Sequence, residues 1–368
     1  MSSAVGGTNV RAAVLTAPGQ IEIREFPVPA VTPDSAILSV ELCGICGTDL
    51  KYFSGKVTAP YPLILGHEVV GRIVAIGPVA ARRWDIAEGD RVLVESSIPC
   101  WSCAACRSGN YRLCPTKGGY GTRLPITSGP GLWGGMAELM YIAAGSIVHR
   151  VPDAIPPRSA VGIPLLANGF QWLVRKGGLV PGDRVLIQGP GPQGLAAAMI
   201  ARTIGAREIT VTGLASDAGR LAFAEKIGAR TVVAGPDDPP GATAERIGNG
   251  YDVVLDVSGS PRAIAAAPGY LRPQGTFVLA GLAGRDVAVP IHTDELAWKE
   301  IRIQGVLSKD DAAMRSALAI AQSDDRLASE LATLVTHVFP LIEAAAAITA
   351  AGAGLEGFVK AAVMPNAA

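Results

Sequence analysis

The sequence predicts an α/β protein of two domains, one a β-rich barrel and the other a doubly wound parallel sheet. Three observations predict it. A chain of 368 residues is longer than one ordinary hydrophobic core supports and suits two domains. Roughly the first 160 residues break into short β-type runs separated by Gly and Pro. After "GLVPGD" the rhythm changes to strands alternating with apolar helices, the pattern of βαβ units on a parallel sheet.

In order, the β-rich part reads "VRAAVL", "IEIREF", "AILSVEL", "HEVVGRIVAIG", "DRVLVES" and "GMAELMYI". The second part opens on the buried strand "RVLIQG" and the long helix "QGLAAAMIARTIGA". It continues through strand "EITVTG", helix "AGRLAFAEKIGA", strands "TVVAG" and "DVVLDVSG", helix "RAIAAAPGYL" and strand "GTFVLAG". From "GVLS" on, two Ala-rich helical stretches and a last strand "GFVKAAV" are expected, and these could complete either domain.

Hydrophobic residues make up 49% and charged residues 17% of the chain, enough to bury a large core and too apolar for disorder. Lys plus Arg and Asp plus Glu balance at 32 each without runs of like charge, which argues against nucleic acid or an acidic membrane surface as partner. No stretch of about 18 apolar residues suggests a membrane span. The opening "MSSAVGGTNVRAAVL" lacks a basic-then-apolar leader. The expectation is a cytoplasmic protein, in which grouped cysteines bind metal or do chemistry more often than they form disulfides.

Gly189, Gly191 and Gly194 in "LIQGPGPQGLAAA" form G-x-G-x-x-G between a strand and a helix. Glycines there allow a tight turn and close backbone approach, and the helix start offers free N–H groups to a pyrophosphate. Pro192, with no N–H to lose, suits the first helical turn, and Gln193 completes the binding loop. An acid about twenty positions on would hold the ribose hydroxyls of NAD, but Gly213 stands there. Its lack of a carboxylate, with Ser216 and Arg220 nearby to bind a 2′-phosphate, favours NADP(H) over NAD(H). Asp217 could reach the ribose instead.

Cys100, Cys103, Cys106 and Cys114 form a C-x2-C-x2-C-x7-C run. Four thiolates so close can surround one Zn²⁺ and leave no open position, so the site reads as structural. An iron–sulfur cluster is the competitor. The remaining pair, Cys43 and Cys46, is a redox couple, two ligands of one metal, or two residues with separate roles. The redox reading is weak, because the pair follows a strand in the β-rich half and precedes Thr48 and Asp49. Further on, "LILGHEVVG" places His67 and Glu68 after a glycine turn.

"CGICGTD", "GHEVVGRIVAIG", "GDRV", the four-cysteine lobe, "GGMAELM" and "GPGPQG", in this order and spacing, resemble the zinc-dependent medium-chain alcohol and polyol dehydrogenases over nearly the whole chain. The resemblance implies a GroES-like β-barrel catalytic domain, residues 1–163 and 306–368, with its zinc lobe near 97–116. A Rossmann domain, 164–305, is inserted in it, and the active site lies in the cleft. It implies that Cys46 and His67 are ligands of a catalytic zinc while Cys43 is a structural neighbour. Thr48 becomes the hydroxyl that passes the substrate's proton, and Asp49 the carboxylate orienting His67. Zinc would acidify an alcohol as it acidifies water, so that hydride can pass between the substrate and NAD(P)(H). It also implies a homodimer or homotetramer.

Two positions depart from the family. Its third zinc ligand, a Cys, Glu or Asp, falls on Ile163 or Leu165, neither of which binds metal. Glu68 can replace it, the zinc can be held by Cys46 and His67 alone, or the catalytic zinc is absent and the protein reduces an activated C=C or C=N bond without it. Lys51 occupies the place of a relay histidine, leaving the relay beyond Thr48 unassigned. A non-catalytic nucleotide-sensing role on the same fold is the rival from another class. Trp133, Phe53 and Trp172 are candidate pocket aromatics, although large aromatics are more often core.

Overall fold

In a computed structural model describing residues 9–235, 241–284, 286–353, 355 and 357–367, the chain divides into two units. One comprises Met1–Gly162 with Ala321–Ala368, and the other Ile163–Ile320. The first eight residues, part of the stretch read for a leader, lie outside the described residues. Among the described residues no helix is long and apolar enough to cross a membrane.

The first unit is built on a seven-stranded sheet. Its path runs Val148–Arg150, Arg91–Val94, Glu68–Ile76, Ala36–Gly44, Lys360–Met364, Val335–Pro340, with Leu139–Ile142 also paired to Ala36–Gly44. A three-stranded sheet of Gln20–Pro27, Asn9–Ala17 and Leu63–Ile64 accompanies it. The strand Ala36–Gly44 is buried along nearly its whole length, as its apolar run "AILSVELCG" requires of a strand paired on both edges. Its end pairs with the C-terminal strand, Ala362 opposite Gly44 and Val363 opposite Cys43. One core holds Val14, Leu38, Ile64, Val69, Met136, Trp133 and Ile348.

In the second unit six strands lie parallel, in the order Arg230–Val233, Glu208–Gly213, Arg184–Gln188, Tyr251–Asp256, Leu271–Leu279, Arg302–Gly305. The sheet is wound outward in both directions from the pair Arg184–Gln188 and Tyr251–Asp256. That pair is the point where strand order reverses and where such sheets take ligands at their carboxyl ends. "VLI" and "VVL" read as unbroken apolar runs because helices cover both faces of a parallel sheet.

Three details differ from the sequence reading. The C-terminal region carries three helices, Asp311–Ser323, Asp325–Leu334 and Ala344–Gly352. The first two are separated only by Asp324, whose side chain accepts the Leu327 N–H at 3.0 Å and so starts a new helix where apolar periodicity alone suggests a continuous one. "VTHVFP" is a strand, Val335–Pro340, held by parallel pairing to Lys360–Met364. Phe170–Lys176 winds as a π-helix directly after Ile163–Gly169, a local departure with no sequence signature.

Gly71 sits in the Glu68–Ile76 strand where an added Cβ would collide with the backbone carbonyl of Ser39 on the neighbouring strand. Gly71→Ala should destabilise this unit by about 1–3 kcal/mol, read as a lowered midpoint in chemical denaturation.

Candidate active site

Cys46 follows the strand Ala36–Gly44 and stands, with extended backbone, at the start of the short helix Gly47–Phe53. The helix start leaves its N–H free of intrahelical partners, and Asp49 Oδ2 accepts it at 2.8 Å. The Cys46 thiol lies 3.8 Å from Thr48 Oγ1. Asp49 is fully buried. Its other oxygen accepts the Gly66 N–H at 3.4 Å and faces His67 Nδ1 at 3.6 Å. One carboxylate thus joins the cysteine loop to the histidine loop.

Gly66 has φ +93, and a Cβ there would strike the Cys43 sulfur. Only glycine lets the chain turn against that buried thiol and deliver His67. Cys43 is therefore packed in the core, where burial first, and then the charges of Asp49 and Glu68, push its thiol well above its usual pKa. Glu68 begins the next strand, and its Oε2 accepts from Lys360 Nζ, which also donates to the Ile45 carbonyl at 2.9 Å. Both side chains are buried.

Cys46, His67 and Glu68 each offer a ligand atom, all within 4.8 Å of one another. Thiolate, imidazole and carboxylate are the donors zinc takes, so the residues fit that metal. Burial works against a charge on His67, but Asp49 and Cys46 outweigh it and hold its pKa well above the ordinary value. For Lys360, burial likewise lowers the pKa, and Glu68 more than restores it. Lys360 escaped the sequence reading; its signal was a single Lys in the otherwise apolar final strand "GFVKAAV".

The four lobe cysteines also lie with their sulfurs within 4.8 Å of one another. Cys103 caps the helix Ala104–Arg107 by accepting the Cys106 N–H at 3.4 Å, and the Cys103 N–H donates to the Cys100 sulfur at 3.4 Å. Such backbone donors favour thiolates. Tyr111, between Cys106 and Cys114, donates to Glu95 at 2.8 Å, and Glu95 lies 2.8 Å from His149 Nε2. This buried trio ties the lobe to the strands Arg91–Val94 and Val148–Arg150.

On the parallel sheet, Gly189 has φ +112, and a Cβ there would stand 3.1 Å from the Ser258 nitrogen. A Cβ on Gly194 would collide with the Gly189 carbonyl, whereas one on Gly191 would meet no protein atom within 4 Å. The turn needs its outer glycines for packing and leaves open space at the middle one, in front of the helix Pro192–Ile204. Gln193 Oε1 there has no hydrogen-bond partner among the described residues. A nicotinamide dinucleotide fits this cradle.

Gly213 ends its strand with a would-be Cβ 2.7 Å from Pro190 Cγ, so a side chain at this position would force Pro190 to shift. Asp217 serves its own turn: Oδ2 accepts the Leu214 N–H at 3.0 Å and Oδ1 accepts from Arg220 at 3.3 Å. Ser216 is exposed beside them.

The remaining candidates lie elsewhere. Ile163 and Leu165 are buried in the helix Ile163–Gly169 and bring no ligand atom. Lys51 is exposed. Trp133 is core, its Nε1 donating to the Ser128 carbonyl at 2.7 Å and its ring edge-on to Tyr141. Trp172 donates to the Ser308 carbonyl at 3.2 Å, and Phe53 packs on the first unit's core.

A glycine-looped parallel sheet and a partly buried metal-donor trio define a nicotinamide-dependent oxidoreductase, and comparison with known proteins agrees. Residues 32–153 match the alcohol dehydrogenase GroES-like domain and residues 192–323 the zinc-binding dehydrogenase family. A probable alcohol dehydrogenase of Mycobacterium tuberculosis is 42% identical over 86% of this chain and 88% of its own. D-arabitol-phosphate dehydrogenase of Enterococcus avium is 32% identical over 89% and 90%. An alcohol dehydrogenase structure from Thermotoga maritima superposes with a TM-score of 0.86 at 26% identity, covering 98% of this chain and 100% of that one. A zinc-binding dehydrogenase from Sinorhizobium meliloti, bound to NADP, gives 0.84 at 25% identity, with the same coverage. The chain belongs to the zinc-dependent medium-chain alcohol dehydrogenase family. It is an oxidoreductase that moves a hydride between a nicotinamide cofactor and an alcohol or carbonyl compound, and the reading as a zinc-free reductase is not favoured.

Lys360→Met leaves the Glu68 carboxylate buried without its partner and is expected to cost about 3–5 kcal/mol. The double variant Lys360→Met/Glu68→Gln should be more stable than the single one, measured by denaturant titration.

Proposed function

We propose that Cys46, His67 and Glu68 hold the catalytic zinc, with Glu68 in place of the ligand that Ile163 and Leu165 cannot supply. The observation that carries this reading is the approach of the three ligand atoms to within 4.8 Å. When bound, zinc supplies Lewis acidity that lets an alcohol lose its proton near neutral pH, and the dinucleotide accepts the hydride. Asp49 orients His67 and fixes Cys46 through its backbone. Thr48, its hydroxyl beside the Cys46 sulfur, passes the substrate's proton on, giving up its own as it accepts that one. Lys360 offsets the negative charge of Glu68 and holds it in place. The Cys100, Cys103, Cys106 and Cys114 cluster holds a second, structural zinc.

We further propose NADP(H) as the preferred cofactor. In support, no acid stands at Gly213 to repel a 2′-phosphate and Asp217 is engaged in its own turn; exposed Ser216, and Arg220 on leaving its pairing with Asp217, would donate to the phosphate. The substrate is a small alcohol or polyol, as the names of the relatives suggest. A cytoplasmic location, where the thiols stay reduced, completes the reading.

The first test is zinc per chain and turnover in wild type and Cys46→Ser. The variant should hold one zinc fewer and lose at least about a hundredfold in kcat/KM, the scale of metal-ligand loss. Equal zinc in both would overturn the catalytic site. The cofactor proposal predicts a higher kcat/KM with NADP(H) than with NAD(H), and a ratio that falls in Arg220→Ala; an unchanged ratio counts against it.

For the homo-oligomer, the supporting feature is the edge strand Arg302–Gly305, with Trp298 83%, Ile303 40% and Leu307 53% exposed on and around it. Unpaired strand edges flanked by apolar side chains take up a second copy readily. Ile303→Lys with Trp298→Glu should shift the protein from dimer to monomer in analytical ultracentrifugation.

A further inference from the structure

Asp256 ends the strand Tyr251–Asp256 on the reversal side of the parallel sheet and is fully buried. Its carboxylate accepts the Ser258 hydroxyl at 2.6 Å and the Gly259 N–H at 3.0 Å. Ser258 Oγ in turn accepts the Ser260 N–H at 3.1 Å. The carboxylate therefore shapes the whole turn 257–260. Its backbone carbonyl accepts Ala280 N–H at 3.0 Å and Gly281 N–H at 2.9 Å, drawing in the loop after Leu271–Leu279. Val257 N–H donates to the Gln188 carbonyl at 3.0 Å, which anchors the turn to the strand that precedes the glycine loop.

Glycines make this clasp possible. Gly259 has φ +68, and a Cβ there would stand 2.7 Å from the Leu282 carbonyl. A Cβ on Gly281 would collide with the Asp256 carboxylate and the Gly259 nitrogen. A Cβ on Gly189 would press on Ser258. Three loops at the carboxyl ends of three strands thus close around the turn that Asp256 shapes. Burial raises the Asp256 pKa, and the Ser258 and Gly259 donors partly counter it, so a buried acid is retained where an apolar residue would be easier to accommodate.

A doubly wound sheet receives one mononucleotide on each side of its reversal point. The glycine loop serves the pyrophosphate and adenosine side. The turn that Asp256 shapes lies on the other side. We infer that Asp256 is a positioning residue for the nicotinamide half of the dinucleotide, acting through Ser258 and Gly259 on the turn that receives it. The inference rests on the reading that this sheet binds a nicotinamide dinucleotide.

The test uses the full chain as wild type, Asp256→Asn, Ser258→Ala and Gly281→Ala. Binding of NADPH or NADH is followed by nicotinamide fluorescence and binding of adenosine diphosphate by calorimetry. Asparagine keeps the shape but offers one oxygen to two donors. It should weaken dinucleotide binding about tenfold, the loss expected for one hydrogen bond to a charged group. Adenosine diphosphate binding should stay within about twofold, since removing the clasp leaves the other half of the site intact. Ser258→Ala should weaken dinucleotide binding by a smaller factor, and Gly281→Ala by at least as much as Asp256→Asn, with the same selectivity. The KM for dinucleotide should rise in each variant. Equal loss of both ligands would mean a general structural role and overturn the inference, as would unchanged dinucleotide binding. If Asp256→Asn fails to fold, the Ser258 and Gly281 variants decide. Wild type binding neither dinucleotide would overturn the cofactor reading itself, and this inference with it.

Discussion

The buried carboxylate of Asp49 is the interaction on which the proposed metal site depends. It accepts the Cys46 N–H at one oxygen, and at the other it accepts the Gly66 N–H and faces His67. A carboxylate with no solvent access is stable only when such donors and a neighbouring positive charge satisfy it. Asp49 therefore fixes the distance between a helix start and a strand start that are far apart in sequence. Zinc ligands need that fixity, because a metal tolerates little error in donor position.

The second buried charge is arranged by the same logic with opposite sign. Lys360 and Glu68 are both withdrawn from water, and Lys360 keeps a further bond to the Ile45 carbonyl. Ile45 immediately precedes Cys46, so the lysine touches the cysteine loop and the glutamate at once. Asp49 and Lys360 brace the ligand-bearing segments with complementary charge. Crowding then restricts the backbone: Gly66 and Gly71 are places where any side chain would meet a thiol or a carbonyl.

Much of this was legible in the chain. The two-part rhythm of strands gave the fold class, because periodicity follows directly from which faces are buried. Cys46, His67 and Glu68 carry donor side chains, but it was the resemblance to zinc-dependent dehydrogenases that implied a metal role for them, and folding brings their ligand atoms within 4.8 Å; the glycine loop was readable because its spacing is itself a conformational requirement. Lys360 was not readable as a site residue, since its partner lies 292 positions away and only folding brings them together. The Asp256 clasp escaped for a related reason. Its Asp-x-Ser-Gly sequence is unremarkable, and its meaning comes from loops that meet only at the sheet's edge. The π-helix Phe170–Lys176 had no local signal at all.

The pairing of Lys360–Met364 with Ala36–Gly44 also sets an order of events in synthesis. The sheet of the first unit cannot be completed until residues 360–364 have been made, whereas every strand of the parallel sheet lies within one continuous stretch of chain, Ile163–Ile320. The second unit has all it needs to fold first, while the early β strands wait with unpaired edges for a partner made hundreds of residues later. Closing so long a loop is slow, and exposed strand edges are prone to aggregation in the interval. Because Lys360 arrives on that strand, the charge balance around Glu68 is completed only once residues 360–364 have been made.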